Sequence, residues 1–142
     1  MAARDAAPTR TMRLALLVLV SVASSHAIGY DTLVDTIVRH AQTAAQRKNS
    51  GDEQGADAAV KAGLHALELA KKMDPEHPQA YITGGTFFLN MNRFEESLAH
   101  WRLAKAKLDP GNEYHAVIDE RIKYTQLGQI SVERDRVYQV SC

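Results

Sequence analysis

The sequence predicts an all-α fold, and three observations carry the prediction. Large apolar residues recur at helical spacing in segment after segment, with charged residues mostly between them. β-branched residues seldom alternate with polar ones, so strands have no pattern to grow from. Met73-Asp74-Pro75 and Leu108-Asp109-Pro110 end two successive helical stretches 35 residues apart, which predicts a unit that is used twice. The only cysteine is the last residue, Cys142, so no disulfide forms within the chain and the fold depends on helix packing alone.

Residues 1–27 read as a secretory signal peptide. Arg4, Arg10 and Arg13 precede the run LALLVLVSVA, and Ser24, Ser25, His26 and Ala27 supply the small residues of a cleavage site. Cleavage is expected after Ala27, with Ala23 as the alternative, and a mitochondrial presequence is the rival reading of the same arginines. The apolar run is about half of the roughly 20 residues that span a bilayer, so no stable membrane anchor is expected. The whole chain has 17 basic and 17 acidic residues, and residues 28–142 carry a formal charge of −2. Neither a nucleic-acid footprint nor a basic membrane-binding face follows from that balance. The chain contains no Asn-x-Ser/Thr sequence, so N-glycosylation is not expected.

The first helix is expected over residues 30–48, with Leu33, Ile37, Ala41 and Ala44 on one stripe and Val34, Val38 and Ala45 beside it. Residues 49–55, NSGDEQG, predict a loop. The second helix resumes at Ala56 and carries Val60, Leu64, Leu67 and Met73 among small residues, ending at Asp74-Pro75. Two more amphipathic segments, joined by a polar turn at residues 90–93, run from Tyr81 to Pro110 as an antiparallel hairpin. A fifth helix follows Gly111-Asn112 and is expected to stop at Gly128, with a short final helix over residues 131–138 as the favoured reading of the tail and an extended segment as the alternative.

The segment Tyr81 to Pro110 resembles a tetratricopeptide repeat (TPR), a helical hairpin of about 34 residues. Tyr81, Gly85, Phe88, Phe94, Ser97, Trp101, Ala104 and Pro110 stand at the positions that define such a repeat. Ser97 replaces the usual alanine, and the interval from Ala104 to Pro110 is one residue longer than in the family. The resemblance implies a short right-handed solenoid of antiparallel helical hairpins, about two repeats with a C-terminal capping helix. Residues 30–78 then form a degenerate repeat with a long turn and no aromatic in its first helix, 79–111 the best repeat, and 112–142 a partial repeat or cap.

No catalytic, metal or cofactor pattern is present. His40, His65, His77, His100 and His115 are widely spaced, and a solvated or capping role is expected for His65 and His100. Gly84-Gly85 lacks the glycine spacing and lysine of a phosphate loop and falls within a helix. The resemblance implies a groove lined by first helices, with Gln79, Ile82, Thr86, Leu89 and Asn90 facing outward. These residues are neutral and partly apolar, and they lack the charged set with which the family grips an acidic peptide terminus. The expectation is a non-catalytic scaffold that binds a peptide or helix of a protein partner. The alternatives are an accessory subunit or homodimer that completes the repeat stack and, less favoured, a small metal-binding protein or enzyme.

Overall fold

A computed structural model describes the backbone of residues 10–141 and the side chains of residues 29–137, 139 and 140. It is all-helical: α1 (Arg10–Asn49), α2 (Glu53–Met73), α3 (Pro78–Asn90), α4 (Phe94–Lys107) and α5 (Tyr114–Ser141). Consecutive helices pack antiparallel. His40 lies beside Gly63, Trp101 beside Gly85, and Lys105 beside Asp119, which pairs α1 with α2, α3 with α4 and α4 with α5. The hairpins join through α1 and α3, which run in the same direction, and through a lighter α2–α3 contact.

The core forms where these faces meet. Ile37, Leu67, Ala66, Ala70, Ala80, Phe87 and Phe88 make one buried cluster across α1, α2 and α3. Tyr81, Trp101, Ala104 and Ile118 make a second across α3, α4 and α5. In α2 the small residues are central: Ala59, Gly63, Ala66 and Ala70 are buried, whereas Met73 is 39% exposed rather than in the core as expected.

The expected seven-residue loop at residues 49–55 is a three-residue link. Gly51 takes a left-handed φ of 83°, and the Asp52 carboxylate accepts the amide of Gly55 at 2.9 Å, so the helix starts at once. Arg47 pairs with the same carboxylate at 3.2 Å and ties the end of α1 to this start. The start of α3 is capped from two sides. The Gln79 amide donates to Nδ1 of His77, and the Ala80 amide donates to the hydroxyl oxygen of Tyr30 in α1, 50 residues away.

Two further expectations differ from the structure. α1 does not begin at residue 30 but continues without a break from Arg10, so the expected cleavage site falls inside a helix. α5 does not stop at Gly128 and no separate helix follows it; one helix runs to Ser141. Gly128 is a packing residue there, since a Cβ at that position would lie 3.0 Å from the Phe94 ring. Among the described residues, no helix is long and apolar enough to cross a membrane.

Candidate functional groove

The centre of the molecule is the α3–α4 contact, and glycine sets its distance. A Cβ on Gly85 would lie 2.6 Å from the Trp101 indole, and one on Gly84 would lie 2.5 Å from the His100 ring. Both rings therefore rest directly on the α3 backbone. Ser97 donates its hydroxyl to the Gly85 carbonyl at 2.7 Å in a fully buried setting. That bond gives the serine a physical reason to occupy a position where the resemblance leads one to expect alanine. The Trp101 indole N–H is buried with no hydrogen-bond partner.

His100 is not solvated, contrary to expectation; it is 8% exposed, between Phe88 and Tyr81. Its Nδ1 lies 2.8 Å from the Glu96 carbonyl, which can only accept, so Nδ1 carries the proton in the neutral ring. Nε2 is then an acceptor, 3.4 Å from the Lys71 ammonium, which also pairs with Glu68 at 2.7 Å. Burial is the main cause of a lowered His100 pKa; the Glu96 hydrogen bond opposes it, and the Lys71 charge adds to it. His65 is exposed. Among the described residues, no group of three or more histidine, cysteine or acidic side chains is arranged to hold a metal ion.

On the opposite side of α3, the five expected groove residues divide between two adjoining depressions. Gln79, Ile82, Thr86 and Asn90 line a hollow of about 380 Å³ between α3 and α1, whose far wall includes Val38, Ala41 and Ala45. Thr86, Asn90 and Leu89 border a wider hollow of about 750 Å³ between α3 and α5, where Trp101 and Tyr124 also contribute. Thr86 and Asn90 belong to both, so the two form one trough along α1, α3 and α5. Gln79, Thr86 and Asn90 are exposed, while Ile82 and Leu89 are half-buried.

The second hollow contains residues that the sequence reading did not single out. Asn92 and Arg121 join Asn90 as donors there, beside the apolar Leu89 and the apolar α5 rim of Tyr124 and Leu127, and no carboxylate lines it. Their joint position depends on how α5 stacks beside α3 and α4, which no single segment announces. Comparison with known proteins returns nothing: no family model fits the chain, and no curated protein or solved structure matches it.

Proposed function

We propose that the chain is a non-catalytic scaffold of the secretory pathway, a short TPR-type solenoid that holds a peptide or helix of a partner protein along the α1–α3–α5 trough. The observation that carries this reading is the placement of Gln79, Ile82, Thr86 and Asn90 together in the wall of one hollow that continues into the next. The repeat reading is supported by parallel α1 and α3, by the close seating of Trp101 on Gly85 and by the matching ends of α2 and α4. Secretory targeting rests on the arginine-flanked apolar run of residues 1–27.

The trough suits a ligand with an apolar face. Its walls combine aliphatic side chains with neutral amides, so apolar burial supplies affinity while the amides fix orientation. The test is to select peptides from a random display library on the purified chain and measure their affinity for Ile82→Glu and Thr86→Arg variants. Loss of at least about tenfold in affinity with unchanged helicity is expected. Selected peptides that bind both variants as tightly as the parent would overturn the groove assignment.

A further inference from the structure

We infer that the outer face of α5 is a self-association surface that pairs antiparallel with α5 of a second copy about a twofold axis at Leu127. Ile118 and Thr125 are fully buried against the rest of the chain, and Leu127 lies half a turn around the helix from Ile118. That outward face carries Tyr124, Leu127 and Ile130, which are 63%, 66% and 63% exposed. Such exposure is unusual for three large apolar residues standing together on one stretch of helix.

The pattern around Leu127 is its own complement. Tyr124 and Ile130 stand three residues to either side, and Glu120 and Arg134 stand seven to either side, almost directly in line with Leu127. Among the described residues, neither the Glu120 nor the Arg134 side chain has an ion pair or hydrogen bond, whereas Asp119, Glu133 and Arg136 on the same helix are paired. An antiparallel twofold sets Leu127 on Leu127, Tyr124 on Ile130 and Glu120 on Arg134, with the last two contacts made twice. A parallel pair would place Glu120 on Glu120 and Arg134 on Arg134, which like-charge repulsion disfavours. A foreign partner has no need of this symmetry, whereas a second copy requires it. The contact is one helix face wide, at the small end of specific interfaces, so the dimer is expected to be weak and salt-sensitive.

The surface shares Tyr124 and Leu127 with the wider hollow of the trough proposed above, while Glu120, Ile130 and Arg134 lie outside that hollow. It covers the α5 rim of the wider hollow and leaves the α1–α3 hollow open, so Thr86→Arg should impair peptide capture without changing self-association.

The experiment is sedimentation of the full chain over a wide concentration range at low and high salt, with reductant present so that Cys142 contributes no cross-link. Wild type is expected to dimerise reversibly. Glu120→Arg and Arg134→Glu should each weaken the dimer by at least about tenfold, since each opposes like charges twice. The double variant, and an equimolar mixture of the two single variants, should recover dimerisation because both restore opposite charges across the axis. Both positions are solvent-facing, so circular dichroism should show unchanged helicity in every variant. A wild-type monomer at all concentrations overturns the inference. So does a dimer that the single reversals leave intact, or one that neither the double variant nor the mixture restores.

Discussion

At the scale of single residues, the α3–α4 contact concentrates the stability of the molecule. Replacing Gly85 by leucine drives a side chain into the Trp101 indole, and overpacking of this kind costs about 1–3 kcal/mol or more. Trp101→Ala is expected to cost about 3–5 kcal/mol, a large share of the roughly 5–15 kcal/mol that holds a domain folded. Trp101→Phe should cost clearly less than alanine, because it keeps most of the ring and removes an indole N–H that has no acceptor. Urea denaturation of the three variants orders these effects. Equal losses for the Phe and Ala variants would show that ring packing against Gly85 is unimportant.

His100 makes a prediction about pH at the same scale. Its folded-state pKa lies below the ordinary histidine value, so between the two values the unfolded chain binds more protons than the folded one. Its contribution to stability is therefore fully present above about pH 6.5 and is lost as the pH falls from there through the folded-state pKa, at no more than about 1.4 kcal/mol per pH unit. His100→Asn keeps a polar group there and removes the titration. The difference in denaturation midpoint between wild type and variant should narrow on acidification from pH 7 to 5, and a constant difference would rule out His100 as the titrating group.

At the scale of elements, what the sequence makes legible depends on whether the decisive contact is local. The α3 and α4 stripes are read correctly because Tyr81, Gly85, Phe88, Leu98 and Trp101 announce their own helix faces, and all five are buried. The start of α2 is misread because Asp52 is one of several polar residues in a run that looks like loop, and only its capping geometry distinguishes it. Asp52→Ala should lower stability by about 1 kcal/mol, most of it through the lost cap, because the Arg47 pair is exposed. Gly128 misleads in the opposite way: a glycine after a periodic stretch reads as a helix end, but its reason is Phe94, 34 residues earlier in the chain. His100 is hidden similarly, for its place in the core depends on the space left by Gly84. A small residue facing a ring across a hairpin is the signal that would have found both.

At the scale of the whole molecule, the trough depends on α1 and α3 running side by side with α5 forming its other flank. The outward positions of α3 were expected from the repeat resemblance, whereas Asn92 and Arg121 were not singled out, because their meeting depends on how separate helices stack. The reading of residues 1–27 as a cleaved signal makes residues 28–142 the whole folded unit. The chain shortened to residues 28–142 is then expected to match the full chain in denaturation midpoint. A substantial drop in midpoint would show that residues before Ile28 pack onto the domain.

The order in which the helices touch also bears on how the molecule comes apart and reforms. Each helix finds its main neighbour next to it in sequence, so most contacts close short loops and the entropy of closure is small. Folding should be fast for a chain of this length, and opening should begin at the end with the fewest neighbours. α5 rests chiefly on α4, so it can peel away while the α1–α3 part of the trough stays assembled. Amide hydrogens of α5 should then exchange well before those of α2 and α3. The molecule is built to loosen in steps from one end.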